Sequence, residues 1–324
     1  MPVKFKVLVS DPLADEGLAI LEGQCDVDVR TELPEDELVR IIGDYDALIV
    51  RSGTTVTARI IDAGRRLKII GRAGVGVDNI DVEAATRRGI PVVNSPEGNT
   101  LAATEHTMAM MLALARNIPQ ANASLKQKQW KRSKFMGVEL NEKTLGILGL
   151  GRIGREIAKR AKAMEMRCIA YDPFITKERA AQMGVELMAL DDVIRQADVI
   201  TVHTPLTPET THLINAQKFA LMKKGVRVIN CARGGIIDEK ALLDAIKAGK
   251  VAGAALDVFE DEPPVKSPPL DLENVIVTPH LGASTVEAQL NVAVSVANQI
   301  VGYFRGEQPK YAVNAPMVPP EYAD

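Results

Sequence analysis

Three residue types with complementary proton and charge chemistry follow three short apolar runs in the second half of this 324-residue sequence. Val226-Arg-Val-Ile229 leads into Asn-Cys-Ala-Arg233, and Ala252–Leu256 leads into Asp257-Val-Phe-Glu260-Asp261-Glu262-Pro263. Val275-Ile-Val277 leads into Thr278-Pro-His280-Leu-Gly. A guanidinium offers a planar two-point grip for a substrate carboxylate. A histidine exchanges a proton near neutral pH, and a neighbouring carboxylate fixes its tautomer and steadies the imidazolium. Each residue also has a plainer reading: a hydrogen-bonded structural histidine, an exposed loop acid, an arginine bridging two loops. Spacing alone does not choose among Glu260, Asp261 and Glu262. All three types at strand ends of one parallel sheet form a site, because ligands of such sheets bind beyond the carboxyl ends of the strands. The other histidines are expected elsewhere: His106 buried and structural in a helix, His212 at the surface, His203 beside Thr204-Pro205 where the backbone or hydroxyl would meet a cofactor.

The cofactor is legible upstream. Leu145-Gly-Ile-Leu-Gly149-Leu-Gly151-Arg152-Ile153-Gly154 reads as a buried strand, a glycine turn and the start of a helix that runs to Met164. A second strand, Cys168–Tyr171, delivers Asp172. This is the dinucleotide-binding fingerprint in context: the glycines let backbone approach a pyrophosphate, and the helix N-terminus presents N–H groups to it. A carboxylate at Asp172 accepts from ribose hydroxyls and repels a 2′-phosphate, so NAD is expected rather than NADP. Lys177 and Arg179 are expected to face solvent.

The elements that position these groups alternate along the chain, which predicts an α/β protein with parallel sheets. Before the glycine turn, strands are predicted at Phe5–Val9, Ala47–Val50, Leu67–Ile70 and Pro91–Val93, with helices at Ala14–Leu21, Asp36–Ile42, Ala58–Ala63 and Val82–Arg88. A helical run covers Asn99 to Gln129. The basic stretch Lys126–Lys134, with the only tryptophan, reads either as a solvated helix face or as a subunit-contact arm. Beyond the turn, strands are predicted at Val199–Val202, Val226–Ile229, Ala252–Leu256 and Val275–Val277. Helices are predicted at Ala216–Leu221 and Glu239–Ala248, the latter stopped by Gly249. Ser284-Thr-Val-Glu287 reads as a capping box for a last helix to Phe304, followed by a proline-rich tail from Gln308 to Asp324.

Composition narrows the class. With 46% hydrophobic and 25% charged residues and a net charge of −3, neither nucleic acid nor an anionic membrane is an expected partner. No apolar run reaches spanning length, and the N-terminus lacks a signal-peptide core. Cys25, Cys168 and Cys231 are few, odd in number and set in apolar runs, which points to reduced thiols and a cytoplasmic location. Four histidines without clustered ligand spacing predict no metal site.

Together, Gly-Leu-Gly-Arg-Ile-Gly154, His203-Thr-Pro-Leu, Asn230-Cys-Ala-Arg-Gly-Gly, Asp257-Val-Phe-x-x-Glu-Pro and Thr278-Pro-His-Leu-Gly-Ala-Ser-Thr resemble the D-isomer-specific 2-hydroxyacid dehydrogenases. Arg51-Ser, Gly71-Arg-Ala-Gly-Val-Gly-Val-Asp-Asn79 and Trp130-x-Arg-x-x-Phe-Met-Gly137 are similar to the members acting on D-3-phosphoglycerate. The resemblance implies Arg233 as carboxylate-binding cation, His280 as acid/base, and Glu262, the acid before Pro263, as its partner. It implies that Val75, Thr204, Cys231, Ala232, Asp257, Gly282 and Ala283 line the NAD site, Asp257 holding the nicotinamide amide. It implies a Rossmann NAD-binding domain (99–287) inserted into a flavodoxin-like substrate-binding domain (1–98 and 288–324), with the active site in the cleft between them. It also implies a homodimer through the 100–140 region, and a tetramer in longer forms.

The activity so implied is NAD-linked oxidation of 3-phosphoglycerate, the first step of serine synthesis. An anionic substrate of that charge needs further cations, expected from Arg51 and Arg72 with Ser52, and from Arg132 and Lys134 of a partner subunit. Structural ion pairing is the plainer reading of Arg51 and Arg72. A hydroxypyruvate or glyoxylate reductase is the alternative within the family, and an NAD-sensing corepressor a remote one. Long members continue into further domains after a segment like Ala312–Pro316. This chain is expected to be the catalytic core without them, so control by serine through a C-terminal domain is not carried over.

Overall fold

The computed structural model describes residues 4–314 and divides into two units, Met1–Asn99 with Ala283–Asp324, and Thr100–Gly282. The end of the proline-rich tail, residues 315–324, lies outside the described residues.

Among the described residues of the first unit, five parallel strands run in the order β2-β1-β3-β4-β5: β1 (Lys6–Val9), β2 (Asp26–Val29), β3 (Ala47–Val50), β4 (Ile69–Arg72) and β5 (Val92–Val93). This is the flavodoxin-like order, reversing direction between β1 and β3. Ala47-Leu-Ile-Val50 is buried throughout because helices cover both faces. Helices Glu35–Ile41, Ala58–Ala63 and Val82–Arg87 cover one face, around Leu48, Ile60 and Ile70. Helices Asp15–Glu22 and Val286–Phe304 supply the other, with Val292, Val296 and Ile300 in the cluster of Val7, Ile49 and Ile69. Each such side chain contributes roughly 1.5–3 kcal/mol when buried, so a stripe at one-turn spacing fastens the late helix to the early sheet. Beyond that helix, Asn314 accepts from the Val92 N–H at 2.8 Å and ties the chain to β5.

The second unit has seven parallel strands in the order β12-β11-β10-β9-β6-β7-β8. They are β6 (Thr144–Leu148), β7 (Arg167–Tyr171), β8 (Glu186–Leu187), β9 (Val199–Val202), β10 (Val226–Asn230), β11 (Val251–Leu256) and β12 (Val275–Val277). Read from β8, this is the dinucleotide-binding order with an added edge strand, reversing between β6 and β9. The α/β class with two doubly wound parallel sheets is therefore as expected.

Several local readings are corrected. Asp26-Val-Asp-Val29 is a strand that its acids conceal; at a sheet edge those acids reach water. The fourth strand is Ile69–Arg72, not Leu67–Ile70: pairing with β3 runs from Ala47↔Ile69 to Val50↔Arg72. Arg72 thus ends the strand rather than following it. The 99–129 run is two helices, Thr100–Arg116 and Ile118–Lys126, broken where Asn117 turns left-handed at φ 52° ahead of Pro119. The last helix is capped by Thr285, not Ser284; its extended backbone lets the side chain accept from the Ala288 N–H. Short helices at Lys177–Gln182 and Leu190–Gln196 also form, without an apolar stripe long enough to announce them. Among the described residues, no helix is long and apolar enough to cross a membrane.

Candidate active site

Adjacent strands in a sheet lie about 4.8 Å apart, and β10, β11 and β12 are neighbours. Arg233, Glu262 and His280 therefore follow the carboxyl ends of strands that span about two strand spacings. Two loops are locked backbone to backbone. A Cβ at Gly234 would come within 1.6 Å of the Phe259 carbonyl oxygen, so only glycine allows that approach. Asn230 organises the Arg233 turn, accepting from Ala232 N–H at 3.0 Å and donating to the Arg233 carbonyl at 2.8 Å.

His280 meets Glu262, its Nδ1 lying 2.8 Å from Glu262 Oε2. With Nδ1–H given to the carboxylate, Nε2 is the ring nitrogen left to take a proton. Burial pushes the Glu262 pKa up, but the His280 hydrogen bond and charge and the Phe259 N–H outweigh it, and the carboxyl stays below its usual range. His280 holds a left-handed backbone, φ 53°, a conformation costing about 1–2 kcal/mol for a residue with a Cβ. Glu260 is occupied otherwise: Oε1 accepts from the Glu239 N–H and lies 3.1 Å from His212 Nε2.

Asp257, expected beside the cofactor amide, is 0% exposed. Its oxygens accept from Thr278 Oγ1 at 2.5 Å, Leu281 N–H at 2.7 Å and Gly282 N–H at 2.8 Å. Burial acts to raise its pKa; hydrogen bonds from His106, Thr278 and Leu281 and the His106 charge reverse the sign. His106, read from sequence as merely buried, lies 3.1 Å from Thr278 Oγ1 and 3.2 Å from Asp257 Oδ1. That contact joins residues 172 positions apart, and no local pattern encodes it.

The glycine turn has the shape a dinucleotide needs. Gly149 sits at φ 97°, and a Cβ there would lie 2.5 Å from the His203 carbonyl oxygen. The space over Gly151 is open, and no side chain caps the helix Arg152–Ala163. Its first N–H groups are thus left for a phosphate rather than a cap. Ile153 and Arg152 open that helix, and Gly154 packs on Gly149. Asp172 ends the turn from β7, accepting from Leu150 N–H at 2.8 Å and Phe174 N–H at 2.9 Å. The Thr204 hydroxyl is buried without a hydrogen-bond partner among the described residues, an atom that a ligand would satisfy. His203 is held neutral by burial, its pKa pushed down to about 3. The Cys231 thiol is pushed up to about 12 by burial and the Asp257 charge, so it acts as a packing residue. These residues fit NAD.

The remaining expected residues lie as follows. In the first unit, Arg51 follows β3; its N–H donates to Asp11 at 2.5 Å and its Nη1 to the Pro12 carbonyl at 3.3 Å. Ser52 beside it is exposed. The Arg72 guanidinium folds over Gly74, and the Val75 carbonyl accepts from Asn94 at 2.6 Å. Ala283 accepts from Gln289 at 2.8 Å. In the second unit, Arg132 and Lys134 form the short helix Arg132–Phe135, and Lys134 pairs with Glu273 of its own chain at 2.5 Å.

Residues 108–282 match the D-isomer specific 2-hydroxyacid dehydrogenase, NAD binding domain family. The chain belongs to this family. It is 57% identical over 316 residues to D-3-phosphoglycerate dehydrogenase of Synechocystis sp., covering 98% of this chain and 57% of that protein. It is 55% identical over 317 residues to D-3-phosphoglycerate dehydrogenase of Methanocaldococcus jannaschii, covering 98% and 60%. The chain thus spans about three-fifths of the length of the curated relatives it matches. Among solved structures, D-lactate dehydrogenase from Aquifex aeolicus, complexed with NAD and lactic acid, is 29% identical with a TM-score of 0.85, covering 96% of this chain and 99% of that one.

Proposed function

We propose that this chain oxidises D-3-phosphoglycerate to 3-phosphohydroxypyruvate with NAD. The observation that carries the chemistry is the His280–Glu262 pair at 2.8 Å, on a strand edge shared with Arg233. The substrate is carried by the 57% and 55% identity to relatives of that name. NAD, when bound, accepts the hydrogen that leaves C2 with its electron pair.

His280 Nε2 takes the C2 hydroxyl proton as the carbonyl forms, and later releases it to water. Glu262 remains ionised, orients the ring and stabilises the imidazolium. Arg233 holds the substrate carboxylate by two parallel hydrogen bonds. Arg51, Arg72 and Ser52 are proposed to serve the phosphate, together with Arg132 and Lys134 from a second copy of the chain. The exposed apolar residues Leu101, Ile118, Leu125, Trp130 and Met136 support such a homodimer through the 100–140 region.

The test is NADH formation with 3-phosphoglycerate set against glycerate, lactate and 2-hydroxyglutarate. A clear preference for the phosphorylated acid is expected. Equal rates on all four would overturn the substrate assignment and leave the family unaffected.

A further inference from the structure

We propose that His106 is a positioning residue for His280, acting through Thr278 and the buried Asp257 carboxylate. The inference rests on the dehydrogenase reading above.

The geometry closes as one network. The His106 Nε2–H is shared between Thr278 Oγ1 at 3.1 Å and Asp257 Oδ1 at 3.2 Å. Thr278 in turn donates its hydroxyl proton to Asp257 Oδ1 at 2.5 Å. The two oxygens of Asp257 then take the Leu281 and Gly282 N–H groups, and its carbonyl takes the His280 N–H at 2.9 Å. So the three backbone N–H groups from 280 to 282 all point at one residue. They hold the left-handed turn at His280 that aims the ring at Glu262.

His106 stands behind this turn on the helix Thr100–Arg116, its side chain 19% exposed. The neighbouring helix positions Ala102, Ala103 and Met110 are apolar and buried. A leucine would pack in such surroundings, whereas an imidazole is costly there unless hydrogen-bonded. Its place is accounted for by the carboxylate it reaches. Without it, Asp257 and Thr278 lose a donor and the carboxylate can rotate, loosening the 280–282 turn. The His280 ring then samples orientations that miss Glu262.

The test compares wild type with His106→Leu, His106→Gln and Thr278→Val. Three quantities are measured: kcat with 3-phosphoglycerate and NAD, the NADH dissociation constant by fluorescence, and the melting temperature. The ring 15N shifts of His280 in cofactor-free protein report its tautomer, and four histidines in the chain make that assignment tractable. His106→Leu and Thr278→Val are expected to lower kcat about tenfold, to weaken NADH binding by a smaller factor through Asp257 and Gly282, and to change His280 from the Nδ1–H tautomer to a mixture. His106→Gln, which keeps an N–H donor, should restore kcat and the tautomer. An unchanged kcat and tautomer in His106→Leu would overturn the inference. So would a kcat loss that only follows a fall in melting temperature and is not rescued by glutamine. If wild type oxidises none of the hydroxy acids, the dehydrogenase reading fails, and the tautomer measurement still decides whether His106 positions His280.

Discussion

Glu239 and Glu260 cap each other's backbone. Glu239 Oε1 accepts from the Glu260 N–H at 2.8 Å, and Glu260 Oε1 accepts from the Glu239 N–H at 3.1 Å. The other oxygen of Glu239 takes the Ser267 hydroxyl at 2.5 Å. This reciprocal pairing pins both ends of the loop that carries Glu262 and leaves that acid for His280. Glu239→Ala strands the Glu260 N–H and should cost about 1–3 kcal/mol of stability, with a several-fold fall in kcat. Urea denaturation and steady-state kinetics on the same samples measure both, and an unaffected kcat would show that the loop needs no such pin.

Glu262→Gln keeps the shape of the side chain and removes its charge. The amide can still accept from Nδ1–H, or turn its NH2 to donate to a bare Nδ1 and so stabilise the wrong ring tautomer. A fall in kcat of roughly 10²- to 10⁴-fold is expected, with little change in NADH binding. A loss below about threefold would mean that the pair at 2.8 Å is structural.

Arg51→Ala should raise the KM for 3-phosphoglycerate by more than it affects an unphosphorylated hydroxy acid. The guanidinium follows β3 and is half-buried, with burial lowering its pKa against the opposing pull of Asp11. Removing a charge-assisted hydrogen bond costs about 1.5–3 kcal/mol, or roughly ten- to a hundredfold in KM. Equal losses on both substrates would remove Arg51 from the phosphate site.

Asp172 predicts a cofactor preference. Its carboxylate directly follows β7 and accepts from the Leu150 N–H inside the glycine turn. Wild type should turn over NAD far faster than NADP, and Asp172→Ala should narrow that ratio at least tenfold. Comparable use of both cofactors by wild type would refute the assignment.

His203 makes stability fall toward acid. Its folded pKa of about 3 lies below the ordinary value of about 6.5, so the unfolded chain binds the extra proton throughout that window. Stability should therefore decline as pH drops from about 6.5 toward 3, and His203→Gln should flatten that slope. Melting temperatures across the range measure it. Parallel slopes in the two proteins would show that His203 is not the group being titrated.

Much of the site was legible because its signals are local. The glycine turn, the strand that delivers Asp172 and the residues directly after β10, β11 and β12 are short-range patterns. Burial between two helical layers makes those strands continuous apolar runs. The missed elements lacked that contrast. Asp26–Val29 carries acids because an edge strand keeps contact with water. Leu190–Gln196 is too short for a stripe to show. Thr285 rather than Ser284 caps the last helix because backbone angle, not residue type, decides which of two hydroxyls faces the Ala288 N–H.

The amino-acid sequence by itself determined the α/β class, the dinucleotide turn and the strand ends from which an arginine, an acid and a histidine emerge. On residue types alone it left Glu260, Asp261 and Glu262 equivalent, and His106 an ordinary buried residue. Tertiary packing alone brought Glu262 to 2.8 Å from His280. Glu260 is consumed by Glu239, and His106 reaches Asp257 from a helix far away in the chain. Hydrogen bonding depends on distance and direction in space, and neither is set by spacing along the chain once separate elements pack together.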